Sequence, residues 1–316
     1  MIIATVVGLG TMGPGIAATL ARGGMTVRLH DVSAEALARG PAAVAAAASV
    51  LDCLGTSARN VDSGPVTFHA DLAEACRDAD LVVENVPENA ALKAEVLAAI
   101  DRLVGAATVI ATDTSGIPIT SLQAHVSHPG RFVGMHWSNP PHIIPMIEVI
   151  AGAATDPATV DRMVSTIRGL GLLPVVIQKD VPGFVENRVL YAVMREAIDL
   201  VESGVIAPES LDICVSWGIG FKLAVVGPMA LLDMADLDVY QSVGSYLNKD
   251  LCRREDVSPF IADRVAQGRL GLKTGGGIRD YTPEGIQALA AGRAAKLVTV
   301  RRALEAAEAA PTAAQI

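Results

Sequence analysis

The chain has 316 residues, 51% of them hydrophobic and 19% charged. This composition excludes an intrinsically disordered chain, and the length suffices for two ordinary domains. The formal net charge is −9, so the composition indicates no basic surface for binding nucleic acid. No apolar run reaches the roughly 18 residues of a membrane span, and no basic segment suggests a secretion signal. The cysteines are scattered without a CxxC pair, so we expect reduced thiols in a cytoplasmic protein and no metal site.

The first element predicted is a strand at residues 2–7, followed at once by a glycine-rich turn and a helical stretch at 16–22. The turn has the pattern G-x-G-x-x-G and consists of Gly8, Leu9, Gly10, Thr11, Met12 and Gly13. The first glycine allows a tight turn, the second lets a pyrophosphate approach the backbone, and the third lets helix pack on strand. Together with the flanking elements, the motif predicts a dinucleotide site at the N-terminus of a helix.

The second predicted strand, residues 27–31, ends in Asp31, which lies 31 − 8 = 23 residues after the first glycine. A carboxylate at this position can accept hydrogen bonds from a ribose 2′-hydroxyl and would repel a 2′-phosphate. The next residues, 32–34, contain no arginine. The sequence therefore predicts NAD rather than NADP as the cofactor.

Further strands and helices alternate up to residue 177, which predicts an α/β fold. We expect an N-terminal Rossmann-type, doubly wound, mostly parallel sheet followed by an all-helical domain. A polar segment with proline and glycine, residues 179–183, places the boundary between an NAD-binding domain at 1–180 and a helical substrate and dimerisation domain at 181–316. The strongly apolar stretch 218–240 is either a domain core or part of a subunit interface, and a homodimer is the default expectation.

His136 and Glu148 stand 148 − 136 = 12 residues apart, each at or in a short apolar run typical of a strand. A turn rich in proline and asparagine separates the two runs. Neighbouring strand ends can bring such a pair into contact, so that the carboxylate orients the imidazole and stabilises its protonated form. This arrangement is typical of a general base.

The chain resembles the 3-hydroxyacyl-CoA dehydrogenase family over nearly its whole length. The resemblance rests on the glycine-rich turn, Glu84 with Glu88-Asn89 and Lys93, Asp113-Thr114-Ser115, His136-Trp137-Ser138-Asn139-Pro140, Glu148, and the segment from Pro182 to Arg188. It implies that His136 is the catalytic base and Glu148 its partner. It also implies polar substrate contacts from Ser115, Asn139 and Asn187, and a place for Glu88 and Lys93 near the nicotinamide–ribose end of NAD.

The region 32–70 departs from the CoA-using members of the family, which carry a lysine-rich helical structure there. Here its bases are Arg39 and Arg59, against three acidic residues. A CoA polyphosphate would find little counter-charge. We therefore expect a small anionic substrate, which His142 could contact. The segments 113–120 and 136–152 resemble one non-CoA branch, the NAD-dependent dehydrogenase of 5-formyl-3-hydroxy-2-methylpyridine-4-carboxylate.

Four alternatives stay open. The substrate could be a 3-hydroxyacyl-CoA such as 3-hydroxybutyryl-CoA, or a free 3-hydroxy acid such as gulonate or carnitine. The β-hydroxyacid dehydrogenases of the 6-phosphogluconate type have a similar glycine-rich opening, but their catalytic lysine has no counterpart in the helical stretch 184–203. A protein that binds NAD without turnover is the non-enzymatic alternative.

Overall fold

The computed structural model describes residues 2–55 and 62–309. Arg59, counted above among the bases, lies outside these ranges. The chain divides into two compact units, Met1–Asn187 and Arg188–Ile316. The predicted boundary after residue 180 stays a prediction, because compactness alone does not define where a functional domain ends.

The first unit is built on an eight-stranded sheet with the order β3-β2-β1-β4-β5-β6-β7-β8. Its strands are β1 Ile3–Val7, β2 Thr26–His30, β3 Val66–His69, β4 Leu81–Glu84, β5 Val109–Thr112, β6 Phe132–Trp137, β7 Met146–Ala151 and β8 Leu173–Ile177. Neighbouring strands run parallel except β6 and β7, which are antiparallel. The order from β3 to β6 is the doubly wound order of dinucleotide-binding folds, so the predicted fold class is confirmed.

Helices accompany the sheet, since parallel strands need crossover connections. They are α1 Gly13–Arg22, α2 Ala34–Leu54, α3 Leu72–Cys76, α4 Ala90–Leu103, α5 Ile119–Gln123 and α6 Pro157–Gly169. The hydrophobic core includes Val82, Leu97, Ile110 and Phe132, which come from β4, α4, β5 and β6. The carboxyl ends of the parallel strands stay open for ligands, as expected for this class.

Strand β3, at residues 66–69, was missed by the sequence analysis. It has four residues, pairs only with β2 at the sheet edge, and is partly exposed. So short a run carries little periodicity, and tertiary pairing decides its conformation.

Helix α2 is long and apolar enough, by length and composition, to satisfy a test for a membrane span. Its residues Val44, Ala47, Leu51 and Leu54 are buried, and it packs against α1. A core-facing stripe of this kind is typical of a helix in a globular α/β unit.

The second unit is helical, as predicted. Its elements are α7 Glu186–Glu202, which begins in the first unit, α8 Pro208–Cys214, α9 Phe221–Leu223, α10 Pro228–Met234, α11 Leu237–Asp250, α12 Pro259–Ala266 and α13 Pro283–Ala309, with a π-helical turn at Val215–Gly220. Gly204, with φ of +75°, follows the end of α7, where a left-handed glycine is common. Helices α7 to α11 contain no buried residue.

Candidate active site

The glycine-rich turn joins β1 to α1 at the carboxyl edge of the sheet. Gly8 has a φ of +113°, and a Cβ there would lie 2.4 Å from the backbone oxygen of Asn85. A Cβ on Gly13 would lie 2.1 Å from the oxygen of Gly8. The first and third glycines are therefore required by the fold of the turn itself.

Gly10 differs from its neighbours, because no atom lies within 4 Å of the position of a Cβ. The space above it is open, and the N-terminus of α1 follows three residues later. Unpaired backbone N–H groups and the positive end of the helix dipole favour an anion at this place. The turn thus fits the pyrophosphate of a dinucleotide.

Asp31 follows the end of β2 and faces this turn. Its Oδ2 accepts a hydrogen bond from the Leu9 N–H at 2.8 Å, and its Oδ1 accepts one from the Ser33 N–H at 2.8 Å. An ionised carboxylate has about four acceptor positions, so capacity remains for ribose hydroxyls. The same side chain therefore both fixes the glycine-rich turn and fits the adenosine ribose of NAD.

His136 and Glu148 are directly opposite each other in the antiparallel pair of β6 and β7. The His136 Nδ1 lies 2.7 Å from Glu148 Oε2, and both side chains are buried. The backbone N–H groups of Val185 and Glu186 each donate to Glu148 Oε1 at 3.0 Å. The carboxylate is held from two sides, which fixes the imidazole and leaves Nε2 for chemistry.

The charge balance around His136 sets its protonation. Burial by itself lowers the pKa of the imidazole, but the hydrogen bond with Glu148 and the negative charges of Asp113, Glu148 and Glu186 outweigh it, so the pKa is raised above its ordinary value. For Glu148, burial raises the pKa, and the hydrogen bonds from His136, Glu186 and Val185 outweigh it and lower the pKa. Glu148 is therefore a charged carboxylate beside the basic imidazole of His136.

Asp113, at the end of β5, connects the base to the nucleotide turn. Its Oδ1 accepts from the Trp137 N–H at 2.8 Å. The Asn85 amide fits best when its nitrogen donates to Asp113 Oδ2 at 3.1 Å and its oxygen accepts from the Gly13 N–H at 2.8 Å. Burial raises the pKa of Asp113 to about 7 despite the Trp137 hydrogen bond and the charges of His136 and Lys93. The strand that carries His136 is thereby anchored to the glycine-rich turn.

Ser115, Glu88 and Asn187 form one cluster. Glu88 Oε1 accepts from the Thr114 Oγ1 at 2.7 Å and from the backbone N–H groups of Ser115 and Gly116. The Asn187 Nδ2 donates to the Ser115 oxygen at 2.6 Å. Glu88 and Asn187 thus hold the turn that presents the exposed Ser115 side chain.

Lys93 is buried and its ammonium group points inward. It donates to both oxygens of Glu84, at 2.9 and 3.2 Å, and to the Val86 oxygen at 3.1 Å. Glu88 Oε2 lies farther away, at 3.6 Å. The structure therefore places Lys93 under the loop after β4.

A cavity of about 700 Å³ lies beside the glycine-rich turn. Its walls come from the turn, from one face of α2, and from the turn between β6 and β7, where Asn139 and His142 line it. The His142 Nδ1 is buried without a hydrogen-bond partner among the described residues, and burial lowers the pKa of this imidazole. Of the lining residues that the structure describes, Arg39 is the one Asp, Glu, Lys or Arg.

The sequence alone assigned no function to Phe184 or Glu186, and Asp113 entered only as part of the motif Asp113-Thr114-Ser115. The Phe184 ring is fully buried and packs against the His136 ring with centroids 5.7 Å apart, and its φ of +49° is rare for a non-glycine residue. Glu186 binds Ser138 and donates its N–H to Glu148. The segment 182–188 carried the resemblance to the family, which was the signal available for both residues.

Comparison with known proteins gives matches over the length of the chain. The family model "3-hydroxyacyl-CoA dehydrogenase, NAD binding domain" matches residues 3–181, and "3-hydroxyacyl-CoA dehydrogenase, C-terminal domain" matches residues 183–281. The 5-formyl-3-hydroxy-2-methylpyridine 4-carboxylate 5-dehydrogenase of Mesorhizobium japonicum is 60% identical over 95% of this chain and 97% of its own. A probable 3-hydroxybutyryl-CoA dehydrogenase of Bacillus subtilis is 36% identical over 87% of this chain and 96% of its own.

Among solved structures, one of a 5-formyl-3-hydroxy-2-methylpyridine 4-carboxylic acid 5-dehydrogenase, described as an NAD⁺-dependent dismutase, has a TM-score of 0.94 and 59% identity. The match covers 96% of this chain and 99% of that one. The family, the cofactor and the class of reaction follow from these matches. The chain belongs to the 3-hydroxyacyl-CoA dehydrogenase family, as an NAD-dependent oxidoreductase.

Proposed function

We propose that the protein oxidises a small carboxylated pyridine aldehyde, 5-formyl-3-hydroxy-2-methylpyridine-4-carboxylate or a close analogue, as its hydrate. The observation that carries this proposal is the buried pair of His136 and Glu148, 2.7 Å apart, in a chain 60% identical to a dehydrogenase of that compound. NAD, when bound, supplies the hydride acceptor.

His136 acts as the general base in this proposal. Its neutral imidazole takes the proton of a substrate hydroxyl as the carbon is oxidised, and Glu148 stabilises the imidazolium that forms. The Ser115 hydroxyl and the Asn139 and Asn187 amides provide polar contacts to the substrate oxygen or its surroundings. Glu88 and Lys93 support the nicotinamide–ribose end of the cofactor site indirectly, by holding the turns after β5 and β4.

The weakly charged α2 wall of the cavity beside the glycine-rich turn supports a small anionic substrate over a CoA thioester. Most of its lining is glycine, alanine, proline and valine, and Arg39 is the one Asp, Glu, Lys or Arg among the described residues that line it. A CoA polyphosphate would need several cationic partners, whereas one carboxylate needs one or two. Arg39 or His142 can supply this contact, and we propose His142 first because its buried Nδ1 lacks a partner among the described residues.

A homodimer formed through the helical unit is part of the proposal. Helices α7 to α11 bury no described residue, while Trp217 and Met229 are 74% and 70% exposed. Apolar surface on this scale is typical of an interface. A second copy of the unit is the natural partner, because most soluble oligomers pair identical surfaces.

A cytoplasmic location is proposed as well. Cys53, Cys76, Cys214 and Cys252 are all free thiols, which a reducing compartment maintains. We propose no binding partner beyond the small substrate and a second copy of the chain.

We also propose that residues 1–180 bind NAD and that residues 181–316 serve substrate binding and dimerisation. The polar break at 179–183 supports this boundary.

The test is NADH formation by the unmodified enzyme and by His136→Gln with the pyridine aldehyde. Loss of the base should lower kcat by about 10²–10⁴-fold, while NADH binding, followed by fluorescence, stays within about twofold. Full activity of His136→Gln would refute the mechanism. Faster turnover of 3-hydroxybutyryl-CoA than of the aldehyde would refute the substrate class.

A further inference from the structure

Glu186, the first residue of α7, is a third carboxylate at the His136 site. Its backbone N–H donates to Glu148 Oε1 at 3.0 Å, and its Oε1 accepts a hydrogen bond from Ser138 Oγ at 2.6 Å. Glu186 also lies in the first turn of the helix, near the positive end of the helix dipole. The side chain is therefore fixed in position.

The second oxygen of this carboxylate has no such partner. Glu186 Oε2 is buried and accepts no hydrogen bond from the described residues. Ligand-type atoms of His136, Glu148 and Glu186 lie within 4.8 Å of one another. A buried acceptor left unsatisfied is destabilising, so Oε2 is suited to a donor that a ligand brings.

The hydrate of an aldehyde supplies such a donor. A secondary alcohol presents one hydroxyl on the reacting carbon, and His136 accounts for its proton. An aldehyde hydrate presents two hydroxyls on that carbon, and the second one has to be oriented as well. The pair of His136 and Glu148 has little capacity left for that hydroxyl, because three of the about four acceptor positions of Glu148 are taken, one on Oε2 by the imidazole and two on Oε1 by backbone N–H groups.

We propose that Glu186 Oε2 accepts a hydrogen bond from the second hydroxyl of the aldehyde hydrate and thereby adapts this site to oxidise aldehydes to acids. The inference rests on the proposed function. Glu186 would be a catalytic residue for the hydrate and dispensable for the simpler conversion of the free aldehyde to the alcohol, which involves one oxygen.

The reaction balances with the cofactor already assigned. Water adds to the aldehyde carbon while the carbonyl π pair moves to oxygen and takes a proton, which gives the hydrate. The C–H bond then breaks with its electron pair leaving as hydride, and one hydroxyl proton passes to His136 as the new C=O forms. The acid loses its remaining proton, so aldehyde, water and NAD⁺ give carboxylate, NADH and two protons.

The experiment compares two rates in the same enzyme. NADH formation from aldehyde and NAD⁺ measures oxidation, and NADH consumption by aldehyde measures reduction. In Glu186→Gln the ratio of oxidation to reduction should fall at least about tenfold, the effect of one lost hydrogen bond to a charged group. Glu95→Gln makes the same chemical change on the exposed face of α4 and should leave the ratio unaltered.

Glu186→Asp is a second variant, which keeps the carboxylate and shortens the side chain. Its ratio of oxidation to reduction should lie between the ratios of the unmodified enzyme and of Glu186→Gln. NADH fluorescence titration checks that each variant binds the nucleotide. Equal loss of both rates in Glu186→Gln would show a structural role through Glu148 and overturn the inference, and so would an unchanged ratio. If the unmodified enzyme forms no NADH from the aldehyde, the proposed function itself fails, which is a distinct result.

Discussion

At the residue scale, the site depends on how each ionisable group is partnered. The sequence identified His136 and Glu148 as a pair, and the structure shows the contact at 2.7 Å. Their exact opposition across β6 and β7 was not predictable, because a shift of one residue in register would point the two side chains to opposite faces of the sheet. The contact between Glu186 and Glu148 joins residues that are 38 positions apart in the chain. Only the tertiary structure shows it.

The pH dependence of oxidation tests the charge balance of this pair. As the proposed base, His136 must be neutral to accept a proton, and its pKa is raised above the ordinary value because Glu148, Asp113 and Glu186 outweigh the effect of burial. Activity should therefore rise as the pH passes upward through this raised pKa. In Glu148→Gln the pKa of His136 falls, so the acidic limb of kcat/KM should move to lower pH while kcat drops about tenfold or more.

The measurement is a pH–rate profile from NADH absorbance for both forms, with Glu95→Gln as the control for an acid-to-amide change elsewhere. An acidic limb at the same pH in Glu148→Gln would contradict the assignment of Glu148 as the partner that raises the pKa of His136.

At the element scale, the strand–turn–helix unit was predictable in detail, since the tight turn, the approach of the pyrophosphate and the packing of helix on strand each require a glycine. The motif predicts the turn, and the structure separates the glycines by what a side chain would meet. Strand β3 could not be predicted from local sequence, because its conformation depends on pairing with β2.

Alanine substitutions in the glycine-rich turn should separate cofactor binding from folding. Gly10→Ala should fold normally, because no atom lies within 4 Å of the new Cβ, but should raise the Kd for NADH about tenfold or more by obstructing the pyrophosphate. Gly13→Ala should instead lower stability, because its Cβ would lie 2.1 Å from the Gly8 oxygen. Thermal unfolding and NADH titration distinguish the two, and equal stability of both variants would contradict the geometry.

The connection between β4 and α4 depends on a buried ion pair, Lys93 with Glu84, which are 1% and 0% exposed. Lys93→Met leaves the Glu84 carboxylate buried without its cation and should lower the free energy of unfolding by about 3–5 kcal/mol. Urea denaturation measures this loss. The double variant Lys93→Met with Glu84→Gln should recover part of it, since no charge is then left unpaired.

The exposed pair of Arg39 and Glu35 gives the matched control for this prediction. Arg39→Met should change stability by about 1 kcal/mol or less. A Lys93→Met variant as stable as Arg39→Met would show that the buried pair contributes little.

At the scale of the whole molecule, two kinds of surface meet the solvent. The sheet unit buries a continuous apolar core, whereas helices α7 to α11 leave large apolar side chains exposed. A helical unit of this kind lacks the burial that normally offsets the conformational entropy of folding. The proposed dimer would supply this burial, and the apolar stretch at 218–240 would be part of its surface.

Light scattering during gel filtration should give twice the chain mass of 32.7 kDa for the unmodified protein. Trp217→Asp should shift the protein toward the monomer and lower its thermal stability, because a charge would be buried at the proposed interface. Leu103→Asp, on an exposed position of α4, should leave the mass unaltered. A monomeric unmodified protein would refute the dimer.

The sequence by itself determined the α/β class, the dinucleotide turn, the choice of NAD and the family resemblance, because these depend on local spacing and on the residue types that a tight turn, a ribose or a base requires. Tertiary structure alone decided the edge strand β3, the inward direction of Lys93, the anchoring of Trp137 by Asp113 and the position of Glu186 beside Glu148. The physical reason is that burial, charge pairing and strand register arise between segments distant in the chain, where no local pattern records them.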